Sequence, residues 1–339
     1  MRILFSQFES TSCKEGRPSA RADAKAPWNE RSRALLRLLG NTGAPYTPAV
    51  AHATGTIAVP GGTVWFKRVG GGPGPPLLVV HGGPGLPHNY LGSLQRLADD
   101  RDVIYWDQLG CGNSERPTDT DLWTMQRSVA EMQTVVQALR LTRFHIFGNS
   151  WGGMLAQQYV LDSPAGVTSL TVSNSAASIP QFAEYVTALK SGLDTTTQSA
   201  IDDHETAGTT SSAEYQAAIR TWNDTHLCRS RPWPDELEDA FRNSGTDIFA
   251  TMFGPSVFRI VGTIREWDVV DRLAEITTPT LLLAARFDEF SPDHMWEMHK
   301  RIAGSRFELF ESSAHLPFIE EPDRFDHVMR GFLRLHDGV

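Results

Sequence analysis

Ser150 stands in Gly148-Asn149-Ser150-Trp151-Gly152, a G-x-S-x-G pentapeptide. An apolar run, residues 144–147, leads into it, and a helical pattern over 154–159 follows. Between a strand and a helix, the two glycines let the chain reverse so sharply that the serine hydroxyl stands clear above the sheet edge. The same turn points the first free N–H groups of the helix at whatever the serine attacks. A serine hydroxyl is a weak nucleophile until a base takes its proton, and that base needs a third group to hold its tautomer. Parallel sheets place such groups just past the C-terminal ends of their strands. Asp288 follows the apolar run 280–285, and His315 follows the run 307–310. Ser150, Asp288 and His315 are therefore the candidate catalytic set. Its chemistry is acyl transfer to serine, then hydrolysis of the acyl-enzyme.

The other titratable candidates have plainer readings. His294, His299 and His327 fall in helical patterns and read as solvated, and His204 and His226 lie in a helical block far from any strand end. Asp268 and Asp271 read as helix caps or partners of a neighbouring amide. An oxyanion hole needs two N–H donors aimed where charge develops, and losing one typically costs ~10²–10³ in rate. The N–H of Trp151 is the first candidate. Gly83 is the second, in the loop His81-Gly82-Gly83-Pro84-Gly85 that follows the apolar run 77–80. His81 itself reads as a buried residue bonded to that loop. The Gly110-Cys111-Gly112 in the segment 107–114 lacks the third glycine and acidic partner of a dinucleotide fingerprint, so it reads as a structural turn near the site.

Short apolar runs recur at 77–80, 103–106, 144–147, 170–172, 280–283 and 307–310, separated by helical stretches. That rhythm predicts a mostly parallel sheet covered by helices on both faces. Val129, Met132, Val135, Val136 and Leu139 mark one covering helix at 3.6 periodicity. Ahead of the sheet, residues 56–59 and 63–66 flank Pro60-Gly61-Gly62 as a hairpin. Between 176 and 267 the strand rhythm stops, and helical patterns over 182–189, 214–222 and 234–241 replace it. About 90 residues is far beyond an ordinary loop. The block reads as a helical cap inserted into a core made of 54–175 and 268–339. Residues 1–53 read as an N-terminal arm with one short helix at 30–39. With the order Ser, Asp, His, the predicted fold is an α/β-hydrolase with a helical cap.

Bulk properties narrow the partners. A net charge of −9 with no basic cluster argues against nucleic acid and anionic membranes. No apolar stretch approaches the ~20 residues of a membrane span. The first residues are too briefly apolar for a signal peptide, so the expected location is the cytoplasm. Three scattered cysteines and histidines without ligand spacing imply neither disulfide nor metal, and no cofactor is expected.

Several of these motifs together resemble the proline iminopeptidases: residues 81–85, 107–114, 148–153, 226–234, and 254–258 through 262–268. The resemblance runs from about Gly55 to the C-terminus, cap included, and leaves the arm outside. It implies a capped α/β-hydrolase that removes N-terminal residues, especially proline, from short peptides or amino-acid amides. It assigns Ser150, Asp288 and His315 as the triad, Gly83 and Trp151 as the oxyanion hole, and Trp151 also to the substrate wall. It further implies two glutamates that hold the substrate's free α-amino group. Glu289 matches one, whereas Val257 stands where the other is expected. Glu184, Glu205 or Glu214 could supply a replacement carboxylate from the cap. Val257 also raises a second reading, an esterase, lactonase or amidase for an uncharged small molecule. A third, a binding protein without catalysis, conflicts with an intact catalytic set. The oligomeric state has no signal in the sequence.

Overall fold

The hairpin signal around Pro60-Gly61 folds as two antiparallel strands, β1 (Ala51–Val59) and β2 (Gly62–Val69), with Val59 opposite Gly62. The structure, a computed structural model, describes residues 51–162 and 165–338. The helix expected at 30–39 lies outside the described residues. β1 begins at Ala51, inside the span assigned to the arm, because its alternating pattern pairs with β2 from there on.

Six further strands follow where the apolar runs predict them: β3 (Gly74–Val80), β4 (Arg101–Asp107), β5 (Phe144–Asn149), β6 (Val167–Ser173), β7 (Thr280–Ala285) and β8 (Arg306–Phe310). The sheet order is β1-β2-β4-β3-β5-β6-β7-β8. From β4 through β8 the neighbours are parallel, and β2 joins β4 antiparallel. The chain moves one way from β3 to β4, then crosses back over β3 to β5. A crevice opens at such a reversal, at the carboxyl ends of the strands.

Continuous apolar strands are needed because both faces are covered. Leu78 and Val80 face a layer containing α1 (Met125–Ala138) and α2 (Trp151–Asp162), while Leu77 and Val79 face the opposite layer. That second layer holds a run of 3₁₀ turns (His88–Asp99) and the C-terminal helices. α1 buries Val129, Met132, Val135 and Val136, as its periodicity requires, and the Thr124 hydroxyl caps its start by accepting from Arg127 N.

Between β6 and β7 lie α3 (Ile179–Ser191), α4 (Thr195–Ala207), α5 (Ala213–Trp222), α6 (Asp235–Arg242) and α7 (Thr246–Met252). α3, α5 and α6 correspond to the helical patterns. α4 was not legible, because its mostly polar face buries only Ala200, Ile201 and Glu205. Its limits come instead from Asp194, which accepts from Thr197 N, and from left-handed Gly208 at its end. The block's entry and exit run side by side, with Ile179 N bonded to Trp267 O and Val269 N to Ala177 O. After β7 come α8 (Pro292–Arg301), then α9 (Pro317–Glu320) and α10 (Pro322–Leu335) beyond β8.

At the N-terminal ends of the parallel strands, away from the crevice, the C-terminal segment is clamped. Arg101, whose side chain is 1% exposed, grips Asp337 through two bonds of 2.6 and 3.2 Å. His145 Nε2 adds a contact of 3.1 Å to the same carboxylate, and its Nδ1 pairs with Ser169 Oγ. Replacing Asp337 would leave a buried guanidinium without its counter-charge, a change that typically costs 3–5 kcal/mol. Asp337 is partly exposed, which lowers that figure. Asp337→Ala should therefore lose about 2 kcal/mol of stability in urea denaturation, with kcat and KM unchanged.

Candidate active site

The pentapeptide forms the turn from β5 into α2, and Ser150 adopts φ 58°, a left-handed conformation unusual for a residue with a side chain. Two carbonyls at the end of β6 hold it there: Ser150 N donates to Ser173 O at 3.0 Å and Asn174 O at 3.1 Å. The flanking glycines are a matter of space. A Cβ on Gly152 would fall 2.1 Å from Val80 O, and one on Gly148 would fall 2.3 Å from Gly152 O. α2 can start immediately after Ser150 only because its first turn touches bare backbone.

Asp288 follows β7 and His315 follows β8, and the two meet. His315 Nδ1 lies 2.7 Å from Asp288 Oδ1, with both side chains almost fully buried. Burial disfavours the imidazolium, but the carboxylates around it, Asp288 foremost with Glu289 and Glu320 adding, more than offset this and hold the His315 pKa above its usual value. His315 N bonds Leu227 O at 3.0 Å, and Phe290 stacks on its ring at 5.3 Å. Glu320 holds the backbone just before His315, accepting from Ala314 N at 2.8 Å and from Arg229 N at 2.7 Å.

The loop after β3 reaches the elbow. A Cβ on Gly82 would lie 2.9 Å from Ser150 Cβ, so the loop backbone passes directly beside the serine. Gly82 N is already committed to Tyr90 Oη at 2.7 Å, and Tyr90 Oη donates on to Asn149 Oδ1 at 2.9 Å. Among the described residues, no acceptor engages the N–H of Gly83 or of Trp151. The Trp151 indole lies in the main core, 1% exposed, and donates to Gln108 Oε1 at 2.9 Å. His81 is buried and structural, as its position suggested. Its Nε2 accepts from Gln108 N at 2.8 Å, and burial pushes its pKa down to about 4, so it is neutral. Gln108 Nε2 returns to His81 O at 2.9 Å. One glutamine thus ties the loop after β3 to the residue after Ser150. Sequence reasoning passed over it, treating the segment 107–114 as a turn; Asp107 does serve that turn, accepting from Asn113 N and from His88.

Glu289 lies beside this pair, buried, with Trp222 Nε1 donating to Oε2 at 3.2 Å. Burial raises its pKa above the ordinary carboxyl value. Trp222 comes from α5, and the Phe258 ring packs against it edge-on at 4.8 Å. Val257, half-buried, packs against the main core. Of the three cap glutamates, Glu184 and Glu214 are exposed and Glu205 is buried, accepting from Tyr215 Oη at 2.9 Å.

Of the remaining candidates, His226 borders the site and the others stay outside it, and one expectation needs correction. His294 is not solvated: its Nε2 accepts from Ala177 N at 3.0 Å, because α8 packs against the chain leaving β6. His299 pairs with Ser305 Oγ and is only half-exposed, whereas His327 is exposed as expected. Asp268 accepts from Val270 N, the bond to a neighbouring amide that is one of the two roles its position suggested. His204 pairs with Thr209 and Ser212, and His226 Nδ1 contacts Phe287 O. Among the described residues there is no metal-binding cluster, and no helix is long and apolar enough to cross a membrane.

Residues 75–322 match the family model described as the alpha/beta hydrolase fold. A proline iminopeptidase of Heyndrickxia coagulans is 40% identical over 286 residues, covering 83% of this chain and 99% of that protein. The chain belongs to the proline iminopeptidase family. The crystal structure of a Mycobacterium smegmatis proline iminopeptidase superimposes with a TM-score of 0.77 at 35% identity, covering 84% of this chain and 99% of the other. That of VinJ gives 0.82 at 34% identity, with coverages of 85% and 100%. Family membership establishes a hydrolase on an α/β-hydrolase fold, and the resemblance read from the motifs is the one the relatives carry.

The Gln108 bridge has a measurable consequence for this family member. Gln108→Leu removes the bonds to Trp151 and to His81 O while preserving bulk. A lost hydrogen bond of about 1–1.5 kcal/mol corresponds to roughly tenfold in rate. Steady-state kinetics should show kcat lowered by about that factor, with KM within twofold.

Proposed function

We propose that this chain is a serine aminopeptidase of the proline iminopeptidase type, releasing N-terminal proline or another small residue from short peptides or amino-acid amides. The observation that carries this reading is Glu289. It is a buried carboxylate next to the Asp288–His315 pair, with Trp222 Nε1 as its neutral partner. Burial makes the lone carboxylate costly and raises its pKa, so a cation beside it relieves that cost, and a substrate's α-ammonium is such a cation.

In this reading Ser150 Oγ attacks the carbonyl of the N-terminal residue and His315 Nε2 takes the hydroxyl proton. Asp288 holds His315 in the tautomer that leaves Nε2 free to accept, because its Oδ1 takes the Nδ1 proton. The N–H groups of Gly83 and Trp151 receive the oxyanion. His315 returns the proton to the leaving amine, and water then releases the acyl group by the same steps. No cofactor enters. The helical block from α3 to α7 acts as the cap, contributing Trp222 to the Glu289 wall and Leu227 to the His315 backbone. The substrate is a small molecule or short peptide, and the cytoplasm is the proposed location. The esterase or lactonase reading raised by Val257 is not favoured, since the curated relatives at 33–40% identity are proline iminopeptidases.

Hydrolysis of prolyl-β-naphthylamide should far exceed that of its N-acetylated form and of a short-chain p-nitrophenyl ester, and Ser150→Ala should abolish it. Equal turnover of the blocked substrate would sink the aminopeptidase reading. Glu289→Gln should lower kcat/KM for the free amine by roughly tenfold to a hundredfold, the equivalent of one charged hydrogen bond.

The pH dependence has a definite sign. Neutral His315 is the working base, and Asp288 raises its pKa above the ordinary value. The acid limb of kcat/KM should therefore fall as pH drops through a value above ~6.5. A limb well below that value would contradict the Asp288–His315 coupling.

A further inference from the structure

We propose that Asn174 is a positioning residue of the catalytic machinery, a strut whose side chain fixes Asp288 while its backbone fixes Ser150. The inference rests on the triad reading above. Asn174 follows β6 directly, is fully buried, and has φ 51°. Its backbone carbonyl accepts from Ser150 N at 3.1 Å, and its own N–H is anchored on Leu283 O in β7 at 2.8 Å. Its Nδ2 donates to Asp288 Oδ2 at 2.8 Å and approaches Ala314 O, the residue before His315, at 3.4 Å. The amide's orientation is not arbitrary. Asp288 Oδ2 and Ala314 O can only accept, so the NH₂ end must face them, which leaves Oδ1 to accept from Ser173 Oγ at 2.8 Å. One residue therefore touches Ser150 and Asp288 directly and the carbonyl of Ala314, the residue before His315.

An asparagine in the left-handed region usually spends its amide on nearby backbone. Here the amide reaches a carboxylate more than a hundred residues away in sequence. Asp288 has two oxygens, one committed to His315 Nδ1 and the other to Asn174. With both held, the carboxylate cannot rotate away from the imidazole. Without Asn174, Oδ2 becomes a buried acceptor with no donor, and Asp288 loses the partial positive charge that tempers its pull on the His315 proton. Two effects follow: misplacement of the base, which lowers kcat, and a stronger hold on the imidazolium. The other titratable groups facing the pair are Glu289 beside Asp288, Glu320 of α9, and His226 and Tyr185 from the helical block. None of them is altered by a change at Asn174.

Asn174→Gly tests this directly, because glycine accepts the left-handed backbone and keeps the carbonyl that holds Ser150. Asn174→Ala removes the same amide at a small backbone cost and serves as the second variant. In the folded protein, with prolyl-β-naphthylamide as substrate, kcat should fall roughly tenfold to a hundredfold with KM within about twofold. The acid limb of kcat/KM should move upward by about half a pH unit or more. In an Asp288→Asn background the same change should cost less than about twofold, since the two residues act as one unit. An unmoved acid limb would overturn the proposal, as would an equal loss in the Asp288→Asn background or failure of both variants to fold. Ser150→Ala and Asp288→Asn separate the two levels. Full activity in those would end the triad reading itself, whereas inactive triad variants beside ordinary Asn174 variants would end only this inference.

Discussion

The amide of Ser150 donates to two carbonyls at the end of the neighbouring strand, Ser173 O and Asn174 O, and the rest of the site is arranged around that contact. A left-handed serine is strained by about 1–3 kcal/mol, and such strain persists only where its surroundings over-determine it. Here β6 supplies the two acceptors, while bare backbone at Gly148 and Gly152 lets α2 begin against β3. The parallel register between β5 and β6, with Asn149 opposite Ser173, is what brings the acceptors to the right height. A one-residue slip would remove them and would also turn the apolar positions of the strand away from their layers.

Around the elbow, buried polar groups are partnered in chains that each end on a part of the candidate site. Tyr90 links Gly82 N to Asn149, Gln108 links His81 to Trp151, and Trp222 reaches Glu289 from the helical block. Each donor or acceptor would be costly if left unmet in this dry environment, so the chains fix geometry as well as satisfying it. Electrostatics then sorts the histidines. His81 is buried without a facing carboxylate in hydrogen-bond contact and stays neutral, whereas His315 has Asp288 on its Nδ1 and is readier to take a proton. Two neighbouring histidines thus have their pKa values moved in opposite directions by burial and by their partners.

Much of the architecture was legible from local pattern. The apolar runs 77–80, 103–106 and 280–283 became strands because a sheet covered on both faces needs continuous apolar segments. Thr124 and the 3.6 spacing over Val129 to Val136 set α1. The helical block was visible as a break in rhythm, although α4 was hidden by its polar composition and declared only by Asp194 and Gly208. His294 was misread because a histidine on an amphipathic helix looks solvated until the neighbouring chain that covers it is known.

The sequence alone determined the type of chemistry and singled out the candidate residues for it. A glycine-flanked serine between strand and helix, with an acid and a histidine after later strands, is a local pattern that survives without coordinates. The tertiary structure decided which residues hold those groups in place. Gln108, Tyr90, Asn174 and Trp222 carry no spacing signal, because each acts on a partner far along the chain. Their roles arise only when the β3 crossover and the parallel register bring distant strand ends into one crevice. Contacts of that kind depend on where strands lie in space, and neither hydrophobic periodicity nor motif spacing encodes it.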